Sequence, residues 1–259
     1  MRAVVRSVSR TLGRCELTHL ERTPVDVELA HVQHELYAAT LEKLGCELLR
    51  IPAEPELPDA VFVEDAALVL DEVAVITRPG AESRRRETES VARAIAPWRE
   101  LRRIEAPATL DGGDVLRIGR TVYVGATPRS NAAGIAALRE ALAPFGYRVE
   151  AVPVRGCLHL KSAVTLAAPD TLLYNPRWID RKRLPALRAI AVDGAEPHGA
   201  NALAVGGAVV YPASCPRTAR KLETLGLDVR RVDMSETEKA EGGVTCCSIL
   251  FNGGPDAGR

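Results

Sequence analysis

The chain has 259 residues, 34 basic and 34 acidic side chains and 46% hydrophobic residues, enough for a sizeable core. Zero net charge leaves no electrostatic footprint for nucleic acid or a charged membrane surface. No apolar run approaches the ~20 residues that cross a bilayer, and Met1–Ser7 is too short and interrupted for a signal-peptide core.

In chain order, Met1–Val8 reads as a strand and Pro24–Leu44 as a helix, in which His31 and His34 form a polar face. Pro52–Pro58 is a short loop, not a domain tether. A recurring plan follows: a polar start, a β-hairpin, a polar loop and a helix. The first copy opens at Val61–Asp65, pairs Ala67–Leu70 with Val73–Thr77, and passes through the loop Arg78–Arg84 into a helix over Glu87–Ala96. The second opens at Asp111, pairs Val115–Ile118 with Val122–Gly125, and runs through Pro128–Asn131 into a helix over Ala132–Ala143. There the stripe Leu138, Leu142 and Phe145 is core.

The third copy begins at His159, with strands Ala163–Ala167 and Thr171–Tyr174. The fourth begins at Asn201, with Ala202–Val205, a Gly206–Gly207 turn, Val209–Pro212 and a helix over Arg217–Leu225. Val244–Phe251 completes a fifth copy split across the termini, and the tail 252–259 frays. A period of roughly 40 to 50 residues belongs to propellers and repeat arrays. An ordinary mixed α/β sheet is the alternative. Asp65, Asp111, His159, Asn201 and Cys246 all fall at corresponding starts, however, and a ring of modules brings such starts together. The expectation is a single domain over 1–259.

The polar starts carry chemistry. Cys246 follows Gly242–Gly243, which let a thiol sit at a strand end beside a ligand. Cys247 then points to the opposite face as packing. His159, in Cys157–Leu158–His159–Leu160–Lys161, is the candidate base, with Cys157 on the same strand face. Asp65 and Asp111 are either turn formers, a common use of aspartate, or carboxylates gathered near the thiol. Asp114 either assists or orients the glycine turn. Arg84, directly after the Pro79–Ser83 loop, stands apart from the solvated Arg85 and Arg86. The six cysteines (Cys15, Cys46, Cys157, Cys215, Cys246, Cys247) lack zinc spacing and read as reduced thiols in a cytoplasmic protein.

Phe62–Asp65, Thr77–Arg84, Leu110–Asp114, Leu158–Lys161 and Thr245–Ser248, in this order, closely resemble the dimethylarginine dimethylaminohydrolases, within the guanidino-group-modifying enzymes. The resemblance spans nearly the whole chain. It implies a five-bladed α/β propeller of ββαβ modules with pseudo-fivefold symmetry, and hydrolysis of methylated arginine to citrulline and an alkylamine without a cofactor or metal. It places the nucleophile at Cys246, the histidine at His159 and the third catalytic carboxylate at Asp111. Asp65 and, more indirectly, Glu64 hold the guanidinium. Asp59, Arg84 and Arg129 lie near the amino-acid end, with main-chain contacts near Leu17 and Ala240.

In the mechanism expected from these residues, Asp65 and Asp111 bind the cation, Arg84 and Arg129 the carboxylate, and Asp59 the α-amine. The bound cation ionises the thiol. Rival readings are a deiminase acting on free arginine, an amidinotransferase and a non-enzymatic propeller that docks ribosomal particles. The expected partner is a small guanidino amino acid, with room for a homodimer.

Overall fold

The computed structural model describes residues 1–253; the expected tail beyond Gly253 lies outside the described residues. Five three-stranded sheets make up the fold, each with the same plan. An antiparallel hairpin supplies two strands, and a third returns parallel to the hairpin's second strand. Three of the sheets are Ala67–Val69 with Val73–Ile76 and Glu100–Arg103, Val115–Ile118 with Thr121–Ala126 and Arg148–Pro153, and Val164–Ala168 with Thr171–Tyr174 and Arg188–Ala191. The fourth is Leu203–Val205 with Ala208–Pro212 and Asp228–Val232. In the fifth, Ile249–Phe251 pairs antiparallel with Arg2–Arg6, which runs parallel to Glu47–Ile51, so the chain's two ends close the ring. This is the five-module α/β propeller.

Middle strands such as Val73–Ile76 are apolar throughout and buried along their length, as strands covered on both faces must be. The outer parallel strands are absent from the sequence expectation. Glu100–Arg103 and Asp228–Val232 are short, charged and half exposed, so neither apolar alternation nor a continuous apolar run marks them. Apolar clusters lie between neighbouring modules: Leu70, Val73 and Val75 pack with Val115, Val122 and Ile135. Val4, Ile249 and Phe251 pack with Ala67, Ile76 and Ile95. Each module therefore buries its face only against the next, which holds the five starts around one centre.

Helices occupy Val27–Lys43, Thr88–Ile95, Ala132–Leu142 and Pro216–Thr224. Asp26 and Asn131 accept the N–H groups of Leu29 and Gly134 as N-caps. The polar-face expectation for the first helix holds for His31, which is exposed, and fails for His34. His34 is buried with neither ring nitrogen hydrogen-bonded, and burial holds its pKa down at about 4. The outward face also carries Leu29, Val32 and Leu36 beside Glu28, His31 and Glu35.

Candidate active site

Cys246 does not lie on a strand. Residues 244–247 form a turn ahead of Ile249–Phe251, and the Cys246 N–H donates to the Gly243 carbonyl. Strand alternation therefore cannot set the direction of Cys247, although its side chain is fully buried in the apolar cluster with Val244 and Tyr37. The Cys246 thiol is half-buried, and its Sγ accepts the Gly243 N–H at 3.3 Å. Burial, followed by the nearby carboxylates of Glu64 and Asp65, pushes it up to about 12. At neutral pH it rests as a thiol.

His159 sits in extended backbone immediately before the short helix Leu160–Ala163. Its Nε2 meets Asp111 Oδ2 at 3.0 Å and its Nδ1 lies 3.9 Å from Asp65 Oδ1. Burial opposes a charged imidazole, but Asp65, Asp111 and Asp114 outweigh it and raise His159 to about 9. The Gly112–Gly113 pair permits this packing. A Cβ on Gly112 would strike the Glu64 carbonyl oxygen at 1.9 Å, and one on Gly113 the His159 ring at 2.6 Å. The Gly113 N–H instead donates to Asp65 Oδ1 at 2.9 Å.

Asp111 has no exposed surface. One of its oxygens meets His159 and the other accepts the Gly80 N–H at 2.8 Å. It orients the imidazole and does not line the cavity, which corrects its expected share in gripping the guanidinium. Asp65 does line the cavity. Although burial raises its pKa, His159 and Arg84 win and bring it down to about 2, so it stays charged. Glu64 lies outside the cavity lining, between Lys161 Nζ at 2.6 Å and Thr245 Oγ1 at 2.7 Å. Thr245 in turn bonds Asn201.

Asp114 accepts the Leu160 N–H at 2.9 Å and the hydroxyls of Thr127 and Ser130 at 2.6 Å each, anchoring the backbone after His159. Cys157 lies on a bend, not a strand, and its thiol donates to the His159 carbonyl. Asp65, Asp111 and His159 offer donor atoms within 4.8 Å of one another. Asp65 is already held by Arg84, and Asp111 is engaged by the Gly80 N–H and His159, so of the three only Asp65 and His159 reach the cavity.

Asp59, Asp65, Arg84, Arg129, His159, Ala240 and Cys246 line a partly open cavity of about 10 Å³, room for one water. A cleft of about 540 Å³ opens on the other side of Cys246, lined by Leu20, Ser162, His198, Asn201 and Glu238 among others. Leu17 lines neither. It packs against the apolar cluster around Val244, while its neighbour Glu16 reaches the small cavity and donates its N–H to the Asp59 carboxylate at 3.1 Å.

No family model matches the chain. Over 250 residues it is 45% identical to N(G),N(G)-dimethylarginine dimethylaminohydrolase of Streptomyces coelicolor, covering 96% of each protein. The chain belongs to the dimethylarginine dimethylaminohydrolase family. Two solved structures agree. The Pseudomonas aeruginosa enzyme, a cysteine-to-serine mutant complexed with citrulline, superposes with TM-score 0.90 at 32% identity over 96% of this chain and 98% of that one. A dimethylarginine dimethylaminohydrolase in adduct with S-methyl-L-thiocitrulline gives 0.92 at 33% identity over 96% and 99%.

In this member of the dimethylarginine dimethylaminohydrolase family the two arginines expected at the amino-acid end differ. Arg84 is buried. Its Nη1 donates to Asp65 at 2.7 Å, and its Nε and Nη2 donate to Glu87, the latter at 2.9 Å. Burial alone would lower Arg84, but Glu87 and Asp65 raise it well above the ordinary range. Arg129 Nη2 donates to Thr18 Oγ1, while its buried Nη1 has no hydrogen-bond partner and lies 3.9 Å from Asp111. Glu87, Lys161, Ser130 and Thr245 had no signal in a single sequence, since each acts by holding a neighbour.

Proposed function

We propose that the chain hydrolyses N-ω-methylated arginine, asymmetric dimethylarginine or monomethylarginine, to citrulline and an alkylamine, with Cys246 as nucleophile. That Cys246, His159 and Asp65 line one small cavity supports this above all. Burial and carboxylates favour the protonated Cys246 thiol, and Asp65 and Asp111 favour the protonated His159. Complexes of relatives with citrulline and S-methyl-L-thiocitrulline fit the same chemistry.

Asp65 receives the guanidinium, Arg129 the α-carboxylate and Asp59 the α-amine. The arriving cation offsets the carboxylates around Cys246 and lowers the thiol's pKa, so that the thiol proton is lost to solvent while His159 keeps its own. Its thiolate bonds to the guanidinium carbon. His159 gives its proton to the methylated nitrogen as that C–N bond breaks, releasing the alkylamine and leaving a thiouronium. Neutral His159 then takes a proton from water, whose oxygen adds to the same carbon. The C–S bond breaks and citrulline departs. General acid–base help of this kind contributes ~10²–10⁴ in rate. No cofactor takes part.

The test is incubation with asymmetric dimethylarginine, monomethylarginine and arginine, measuring citrulline and the released amine. Methylated substrates should yield citrulline, and Cys246→Ser should yield none while melting at the parent's temperature. Citrulline chiefly from arginine, with ammonia, would make the chain a deiminase; none from any of the three would sink the reading.

A single domain over 1–259, a homodimer and a cytoplasmic location belong to the same proposal. Support comes from the exposed Leu29, Val32 and Leu36 face and from six unpaired cysteines. Zero net charge speaks against nucleic acid, and no helix among the described residues is long and apolar enough to cross a membrane.

A further inference from the structure

Among the described residues, Glu241 alone of the non-glycines has a positive φ, +59°. L-residues rarely adopt this conformation, and it persists where surrounding structure dictates it. The side chain shows what does so here. Its carboxylate accepts three consecutive backbone N–H groups from the far end of the sequence: Thr18 at 3.1 Å, His19, and Leu20 at 2.7 Å. Successive N–H groups converging on one anion form a nest.

The segment so gripped is stitched at its other side to the amino-acid end of the small cavity. The Glu16 N–H donates to Asp59, the Thr18 hydroxyl accepts from Arg129, and Ser83 donates to Glu16 Oε1 at 2.6 Å. Glu241 itself lines both the small cavity and the open cleft, and its chain neighbours Ala240 and Gly242 line the small cavity too. One carboxylate therefore sets the distance between the Glu16–Leu20 strap and the turn that leads to Cys246. With about 10 Å³ inside, the cavity as it stands is too small for an amino acid.

We infer that Glu241 is a positioning residue that latches the strap over the α-amino and α-carboxyl end of the substrate, setting affinity without acting at the reacting carbon. This rests on the function proposed above. The strained φ is the local cost of aiming the carboxylate at the strap.

Two variants separate latch from scaffold. Glu241→Gln keeps the size but removes the anion, and Glu241→Gly suits the backbone angle while deleting the latch. In both, KM for asymmetric dimethylarginine should rise roughly tenfold or more with kcat within about threefold, the pattern of a lost binding contribution. Trypsin cleavage after Arg22, just beyond the gripped residues, should quicken in both. The glycine variant should melt no lower than the parent. If KM stays within about twofold and Arg22 stays protected, the latch is wrong; kcat collapsing at constant KM would equally overturn it. Should the glycine variant fail to fold, Glu241→Gln decides: a lower melting temperature with unchanged KM makes the residue purely structural. If the parent makes no citrulline, the proposed function fails while cleavage at Arg22 still tests the strap.

Discussion

Arg84 and Arg129 line the same small cavity, yet Arg84 is hydrogen-bonded to two carboxylates and Arg129 to none among the described residues, with Asp111 3.9 Å from its Nη1. Of the five N–H groups on Arg84, one goes to Asp65, others to Glu87, and Nη2 also reaches the carbonyls of Asp59 and Phe62 at 3.4 Å, leaving one on Nη1. Arg129 keeps a buried Nη1 without a hydrogen-bond partner. Two arginines given one role from sequence thus divide the work. Arg84 holds Asp65 in place and helps keep it charged; Arg129, whose Nη1 has no hydrogen-bond partner, is the cation proposed for the substrate carboxylate. Neutralisation by neighbours, not proximity to the cavity, decides which charge can serve a ligand.

Removing Arg84 should therefore have the largest consequence. Arg84→Met leaves Asp65 and Glu87 buried without their cation, and breaking a buried pair in this way costs about 3–5 kcal/mol. Urea unfolding measures it, and citrulline formation should fall with it. A loss below about 1 kcal/mol together with a raised KM would return Arg84 to the anchoring role. Next comes Arg129→Met, expected to leave stability nearly unchanged and raise KM. One charge-assisted hydrogen bond of about 1.5–3 kcal/mol corresponds to about 10- to 150-fold. A fall in kcat alone, with KM unmoved, would break the comparison from the other side.

Much of this arrangement was legible in the sequence. The matched starts Asp65, Asp111, His159, Asn201 and Cys246 pointed to a ring, and the hairpins showed as paired apolar runs around turns. The outer strands were not legible, because Glu100–Arg103 has one apolar residue in four. Nor were the directions of side chains. Cys246 was read at a strand end and lies on the turn before the strand; Arg84 was read as facing a ligand and, while lining the cavity, is paired with Asp65. One chain reveals residue type and order, but who neutralises whom depends on contacts such as Arg84–Asp65, 19 residues apart, or Lys161–Glu64, 97 apart.

A smaller effect follows from the chain of influence through Asp65. By keeping Asp65 charged, Arg84 helps hold the His159 proton up to about 9, while the free thiol titrates near 12. Attack needs thiolate and imidazolium together, so one proton must leave the resting enzyme. kcat/KM should then climb about tenfold per pH unit through neutrality and flatten near pH 9, where loss of imidazolium cancels the gain in thiolate. Asp111→Asn should pull that bend downward by about one unit, since a lost negative charge favours neutral imidazole. Arg129→Lys should leave the bend in place. A profile already flat at pH 7 would mean a resting ion pair between Cys246 and His159 instead.

The finest test asks how one guanidinium is shared among carboxylates. Asp65 is held down at about 2, whereas burial, despite Arg84, lifts Glu87 to about 7; Asp59 is also raised by burial. Asp65 is held charged by His159 first and Arg84 second, whereas Glu87, with Arg84 alone against its burial, takes up a proton more readily. A carboxyl whose folded pKa lies above its unfolded value of 4.5 favours the folded state fully below that value. The contribution disappears as pH rises through about 7. Glu87→Gln cannot titrate. Its stability relative to the parent should therefore improve by about 3 kcal/mol between about pH 4.5 and pH 8, whatever the offset at the acid end. Chemical unfolding of both proteins across that window measures the difference. A flat difference would mean that Glu87 titrates as it does unfolded, and one that turns against Gln as pH rises would mean that Arg84 holds Glu87 charged as firmly as Asp65.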